Sequence, residues 1–158
     1  MEIKSYDKVD RFIQEGSSGS NFICICGSSK FFFEVMECQR ILTSHDWIVL
    51  SKGFWSDSFS KYSRHLFNIN NHKRVKRLQY KKIYHSDALL VVTDYIGYLD
   101  DDTKDEIAFA KFLKMPIIYY NGEYFVGKDD TDFSNCIKHG IQFTEEIIDE
   151  FEAKLKTD

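Results

Sequence analysis

The sequence predicts an α/β protein, a single doubly wound domain over residues 1–158 of the Rossmann or flavodoxin-like type, with a mostly parallel sheet and helices on both faces. Short apolar runs typical of buried strands alternate with amphipathic helical segments along the chain. A length of 158 residues suits one domain with a substantial core and is short for two. The apolar share of 43% excludes a disordered chain, and no apolar run approaches the roughly 20 residues of a membrane helix.

The elements follow from periodicity and from capping residues, taken in chain order. Strands are predicted at Phe22–Cys26, Trp47–Leu50, Ala88–Thr93 and Pro116–Tyr120. Helices are predicted as a short one capped by Ser5, one from about Lys30 to Thr43, a basic one over His72–Asp87, one over Thr103–Leu113, and a last one capped by Thr144. In the basic helix, Val75, Leu78 and Ile83 are expected to supply the apolar side.

Parallel strands place their carboxyl ends at one edge of the sheet, and ligands of doubly wound folds bind there. Three segments meet at this edge: "GSSK" after the first strand, residues 51–72 after the second, and "DYIGYLDDDT" after the third. Residues 51–72 form a long polar loop, of the length that is usually functional or mobile. Its aromatic residues either stack on a base or pin the loop to the core or to a second subunit: Phe54, Trp55, Phe59 and Tyr62.

The glycine loop after the first strand favours a phosphate or sugar hydroxyls. Gly27, Ser28 and Ser29 offer backbone N–H groups and two hydroxyls in front of a helix. An ordinary tight turn with a capping serine explains the same residues equally well. The loop is neither G-x-G-x-x-G nor a P-loop, so it does not indicate a dinucleotide or a triphosphate.

The acidic segment "GYLDDDTKDEIAFAKFLKMPIIYY" begins at Gly97 and leads into a helix. Asp105 and Glu106 are predicted in its first turn, where carboxylates complement the helix dipole. A solvated helix start accounts for Asp101, Asp102 and Asp105, and Asp105 is expected to face water. Glu106 precedes an apolar run and is expected at the border of the buried face.

These motifs resemble the nucleoside 2-deoxyribosyltransferase-like N-glycosidases. The resemblance runs from Phe22 to about Tyr120 and rests on "ICICGSSK", on "KKIYHSDALLVVTDYIGYLDDDTKDEIAFAKFLKMPIIYY" and on the spacing between them. The family's later motif is matched by Gly97, Tyr98, Thr103, Glu106, Ile107 and Ala110. The resemblance implies that Glu106 is the nucleophile, which attacks the anomeric carbon of a nucleoside or nucleotide and releases the base.

The resemblance also implies the rest of a site. Asp100, six residues before Glu106, is expected to orient the sugar or to protonate the leaving base, with Asp101 and Asp102 as competitors for this role. The residues expected to bind substrate are Cys26, Gly27, Ser28, Ser29, Lys30, Gln79, Asp94, Gly97, Tyr98 and Thr103. Clustered carboxylates agree with this chemistry, because negative charge stabilises an oxocarbenium-like transition state.

Gln79 departs from the family pattern. Eight residues before Asp87, where better-known members carry an aspartate, this chain has a glutamine. Glutamine cannot transfer a proton at neutral pH, although it can hydrogen-bond a hydroxyl. Either the acid comes from elsewhere, or the activity has changed or been lost.

The basic helix is open to two interpretations. Lys73, Arg74, Lys76 or Arg77 could capture a phosphate of a nucleotide, or the helix could present a solvated face or a subunit contact. Nucleic acid is not expected as a partner, because the net charge is −4 and no groove-reading motif is present.

The remaining residue types predict neither a metal nor a redox cofactor. Cys24, Cys26, Cys38 and Cys136 are expected to be structural thiols, and His65, His72 and His85 form no metal-ligand pattern. The charged N-terminal segment lacks the apolar region of a secretory signal, which predicts a cytoplasmic protein.

The sequence thus predicts an N-glycosidase or 2-deoxyribosyltransferase acting on a nucleoside or nucleotide, as a homodimer or larger homo-oligomer without a membrane partner. A non-catalytic module that senses or sequesters a nucleotide-derived ligand is the alternative. A flavodoxin-like interaction domain also fits the fold, but it leaves the Gly97 to Glu106 pattern unexplained.

Overall fold

A computed structural model of the protein describes residues 2–16, 21–51, 72–127 and 145–157, which form a five-stranded sheet with helices on both faces. The strands are β1 (Phe22–Gly27), β2 (Ile48–Leu50), β3 (Ala88–Val92), β4 (Ile117–Tyr120) and β5 (Phe125–Gly127). The helices are α1 (Glu2–Glu15), α2 (Phe32–Ser44), α3 (His72–Tyr84), α4 (Asp101–Phe112) and α5 (Glu145–Thr157), and a 3₁₀ turn at Ser29–Phe31 precedes α2.

The strand order is β2-β1-β3-β4-β5, with β1 to β4 parallel and β5 antiparallel to β4. This arrangement confirms the predicted α/β class with a mostly parallel sheet, and the order agrees with the flavodoxin-like pattern. The direction in which successive strands are added reverses between β1 and β3. These two strands pair in parallel, with Ile23 opposite Ala88 at one end and Gly27 opposite Val92 at the other. In doubly wound folds, the carboxyl ends of the two strands at such a reversal flank the ligand site.

The core has two layers because strand side chains point alternately to opposite faces. On β1, Ile23 and Ile25 belong to one layer and Cys24 and Cys26 to the other. The first layer is completed by apolar residues of α1 and α2, including Val9, Phe12, Ile13, Val35 and Leu42. The second layer is completed by residues of α3, α4 and α5, including Tyr80, Ile83, Ile107, Phe109, Ile148 and Phe151.

The cysteines behave as predicted where the structure describes them. Cys24, Cys26 and Cys38 are buried, and none of them is in a disulfide. Burial, with smaller contributions from the charges of Glu37 and Glu34, raises the pKa of the Cys38 thiol and keeps it protonated. Cys136 lies outside the described residues.

Two predicted helix starts are wrong. Ser5 lies inside α1 and does not cap it. Helix α4 begins at Asp101 rather than Thr103, because Asp100 is its N-cap and its side chain accepts a hydrogen bond from the Thr103 N–H. Thr144, the predicted cap of α5, lies outside the described residues.

The apolar side of α3 is also partly different from the prediction. Ile83 is buried, but Leu78 is 48% exposed, and Gln79 and Tyr80 are buried instead. A helix turns about 100° per residue, so residues three and four positions before Ile83 share its face, while Leu78, five positions before, does not.

Candidate functional site

A glycine turn ends β1 at the reversal of strand order. Gly27 has φ +150°, and a Cβ at this position would lie 2.8 Å from the carbonyl oxygen of Val92 on β3. Only glycine permits this close approach of the two strands. Ser28 then caps the 3₁₀ turn, since its Oγ accepts the N–H of Lys30 at 3.3 Å. The capping serine that the sequence left as one alternative is therefore present, and the next residue, Ser29, is exposed.

The loop after β3 is built around Asp94. Its Oδ1 accepts the backbone N–H groups of residues 96–98 at 3.1, 2.9 and 3.0 Å. The Thr93 hydroxyl donates to the carbonyl oxygen of Tyr98 at 2.8 Å, which fixes the other side of the loop. The hydrogen bond from the Tyr98 N–H is the main cause that lowers the pKa of Asp94, so this carboxylate stays ionised. Asp94 thus shapes the loop that presents Gly97 and Tyr98.

The two loops meet through an aromatic contact. Lys30 Nζ lies 3.4 Å from the centroid of the Tyr98 ring, and the Phe31 ring packs edge-on against Tyr98 with centroids 6.1 Å apart. A cation over the face of tyrosine is attracted by the ring. The structure therefore brings together the predicted residues of the glycine turn and of the β3 loop. Tyr98 is 43% exposed, so its ring forms part of the surface at this edge.

The carboxylates predicted to take part in the reaction lie on helix α4 and at its N-cap. Asp100 Oδ1 accepts the Thr103 N–H at 2.8 Å, so Asp100 has a capping role that the sequence analysis missed. Thr103 is fully buried and Glu106, one turn further on the same face, is only 2% exposed. Glu106 therefore lies in the second turn, deep in the structure, rather than in the first turn at the border of the buried face. Such burial is rare for glutamate.

Asp105 was expected to face water, but its side chain is 32% exposed and is paired with α3. Its Oδ2 accepts a hydrogen bond from Lys76 Nζ on α3 at 2.5 Å, and the same ammonium lies 3.6 Å from Asp102 Oδ1. Partial burial lowers the pKa of Lys76, but the hydrogen bond and charge of Asp105 and the charge of Asp102 outweigh it, so the pKa lies above its ordinary value. Part of the negative charge of the acidic segment thus anchors α4 to α3.

Gln79 lies on the buried face of α3. Its side chain is 4% exposed, and Nε2 donates to Cys24 Sγ on β1 at 3.5 Å. Cys24 and Cys26 belong to the core layer that α4 helps to complete, and the hydrogen bond places Gln79 against this layer. Cys26 is fully buried. The hydrogen bond gives Gln79 a packing role in addition to the predicted contact with a sugar hydroxyl.

Tyr80 is a buried polar residue that the sequence analysis missed. Its ring packs against Phe109 of α4 and Phe151 of α5, with centroids 4.9 and 5.4 Å apart. Its hydroxyl has no hydrogen-bond partner among the residues that the structure describes. Burial raises the pKa of this phenol, and the charges of Asp105, Glu152 and Glu106 add to the shift, so the hydroxyl stays protonated. The spacing of three residues before Ile83 was the signal that could have identified it.

Replacing Tyr80 with phenylalanine is expected to raise the free energy of unfolding by about 1 kcal/mol, because a buried hydroxyl without a partner costs desolvation energy. The ring contacts are kept. Tyr80→Ala, which removes them, is expected to lower it by about 3–5 kcal/mol. Equilibrium unfolding in urea measures both changes. A clear loss of stability in Tyr80→Phe would mean that the hydroxyl makes a stabilising hydrogen bond after all.

Two of the four candidate phosphate ligands on the basic helix have carboxylate partners within the chain. Lys76 is paired with α4, and Arg77 is within 3.1 Å of three carboxylates on α5, those of Glu145, Asp149 and Glu152. Lys73 and Arg74 are exposed, and Arg74 lies on the face of α3 that is turned away from the sheet. Phosphate capture therefore stays one of two interpretations for Lys73 and Arg74, whereas Lys76 and Arg77 are paired with carboxylates.

Some predicted features lie outside the described residues, namely the aromatic residues of the 51–72 loop and His65. Within the described ranges, no group of three or more His, Cys, Asp or Glu side chains is arranged to hold a metal ion. No helix in those ranges has the length and apolar character needed to cross a membrane. No protein-family model matches this chain, and no curated protein sequence matches it.

Proposed function

We propose that this protein cleaves the N-glycosidic bond of a nucleoside or nucleotide, as a hydrolase or a 2-deoxyribosyltransferase, with Glu106 as the nucleophile. The observation that carries the proposal is the position of the Glu106 carboxylate. It is 2% exposed and follows the loop at the reversal of strand order, where a doubly wound fold keeps its ligand. Glutamate is seldom buried so deeply unless its carboxylate is paired or hydrogen-bonded, so the position is unusual for this residue type.

In the proposed reaction, a Glu106 oxygen forms a bond to the anomeric carbon as the bond from that carbon to the base nitrogen breaks. The electron pair of the broken bond leaves with the base, which takes up a proton. Water or a second base then attacks the anomeric carbon of the glycosyl ester and regenerates the carboxylate. Hydrolysis and transfer differ only in this acceptor.

The surrounding residues have proposed roles in binding. The turn at Gly27–Lys30 and the loop held by Asp94 bring the serine hydroxyls of the turn and the Tyr98 ring to one edge of the sheet. Asp100 is proposed to orient the sugar or to protonate the departing base, in addition to capping α4. Gln79 is proposed to hydrogen-bond a sugar hydroxyl. The proposal includes a homo-oligomeric, cytoplasmic enzyme that uses no metal and no redox cofactor.

One observation favours the second candidate, a non-catalytic module that senses or sequesters a nucleotide-derived ligand. Gln79 is buried and bonded to Cys24 Sγ, at the position where the resembled family carries an acid. An amide there cannot donate the proton that a leaving base requires. A site with the same shape and a weaker acid would bind its ligand without turning it over.

Incubation with a panel of nucleosides, their 2′-deoxy forms and their 5′-monophosphates tests both candidates. The proposed enzyme is expected to release free base, which chromatography detects. A rise in melting temperature with a panel member and no released base would support the binding module instead. If no panel member releases base and none raises the melting temperature, both candidates are overturned.

A further inference from the structure

A groove of about 550 Å³ lies along α3. Its described lining residues are Lys73, Arg74, Arg77, Leu78 and Lys81. Gln79, Tyr80 and Ile83 are buried on the opposite face of the helix, so Arg74, Leu78 and Lys81 point outward. The volume falls within the range of about 300–1,000 Å³ that is usual for small-molecule sites.

Two of the four cationic side chains among the described lining residues have carboxylate partners. Lys81 Nζ lies 2.5 Å from Glu145 Oε1, and Arg77 is held by Glu145 and by two further carboxylates of α5. Lys73 and Arg74 have no ion-pair or hydrogen-bond partner among the residues that the structure describes, and both are exposed. Within the described part of the chain, the cations of the groove without a partner are therefore two consecutive residues at one end of it.

An apolar side chain lies next to these two cations. Leu78 is 48% exposed and follows Arg74 by four residues, so the two side chains are neighbours on one helix face. An exposed leucine between charged residues offers a contact to a flat or apolar group. The groove thus combines a compact cationic end with an apolar surface one turn away.

We propose that this groove binds a small ligand that carries two adjacent phosphates and a planar apolar group, as nucleoside diphosphates do. The phosphates contact Lys73 and Arg74, and the planar group lies on Leu78. A compact anion fits better than an extended acidic peptide, because Arg77 and Lys81 further along the groove already face carboxylates of α5. This site does not depend on the reaction proposed for Glu106.

Calorimetric titration at low salt with ADP, inorganic pyrophosphate and a tetraglutamate peptide tests the proposal. ADP is expected to bind more tightly than pyrophosphate, because pyrophosphate lacks the group that contacts Leu78. The double variant Lys73→Ala/Arg74→Ala is expected to raise the Kd for ADP at least about tenfold, since it removes both charge-assisted contacts. Leu78→Ala is expected to abolish the preference for ADP over pyrophosphate.

The matched control is Lys104→Ala/Lys111→Ala, which removes the same charge from exposed positions on α4. It is expected to leave the Kd for ADP within about twofold. Equal losses in the two double variants would overturn the proposal in favour of diffuse charge attraction. Absence of ADP binding at millimolar concentration, or tighter binding of the peptide than of ADP, would also overturn it.

Discussion

Replacing Glu106 with glutamine is expected to lower the rate of base release by about 10³-fold or more, while ligand binding is largely kept. Glutamine has the same shape and hydrogen-bonding reach, but it lacks the anion that bonds to the anomeric carbon. Because the side chain is 2% exposed and glutamine fills the same volume, the packing is kept and the melting temperature is expected to change little. Chromatography of released base and thermal melts with and without substrate measure the two effects.

Glu150→Gln is the control for this experiment. Glu150 is exposed on α5, so the loss of its charge is expected to leave the rate nearly intact. Asp105 does not serve as the control, because its hydrogen bond to Lys76 joins α3 to α4. If Glu106→Gln releases base at the parental rate, the nucleophile lies elsewhere. If both rate and melting temperature fall, Glu106 supports the fold rather than the chemistry.

The central strands of the sheet could be predicted because they are buried on both faces. A strand covered by helices on each side consists almost entirely of apolar residues, as in "ALLVV" of β3, and such runs stand out from polar flanks. β5 was missed because it has only three residues, Phe125–Gly127, within a polar segment. Its antiparallel pairing with β4 depends on contacts that local sequence does not encode.

The position of the candidate site could also be predicted, since it follows from topology. Residues at the ends of β1 and β3 meet whatever their identities, and the contact between Lys30 and Tyr98 is one result. The ion pairs of α3 could not be predicted in this way. Arg77 bonds residues 68 and 75 positions away, and only the packing of α3 against α5 brings them together. Because of this packing, Arg77, one of the candidate phosphate ligands, binds carboxylates of α5 instead.

Replacing Gly27 with alanine is expected to lower the free energy of unfolding by about 2–4 kcal/mol, from backbone strain at φ +150° and from overpacking. The new Cβ would lie 2.8 Å from the Val92 carbonyl oxygen, which belongs to the backbone of β3 and cannot rotate away. β1 and β3 must therefore separate at the carboxyl edge. Because this edge carries both loops of the candidate site, base release is expected to fall as well.

Gly97→Ala separates the two contributions to this loss. Gly97 also has a positive φ, +88°, but a Cβ there would meet no atom within 4 Å. Its substitution is expected to cost only the left-handed backbone strain, about 1 kcal/mol. Urea unfolding of the two variants side by side measures the difference, which reports the steric contact between β1 and β3 together with the larger backbone strain at φ +150°. If Gly27→Ala is no less stable than Gly97→Ala, the close approach at Val92 does not limit the residue at position 27, and the two strands can accommodate a side chain there.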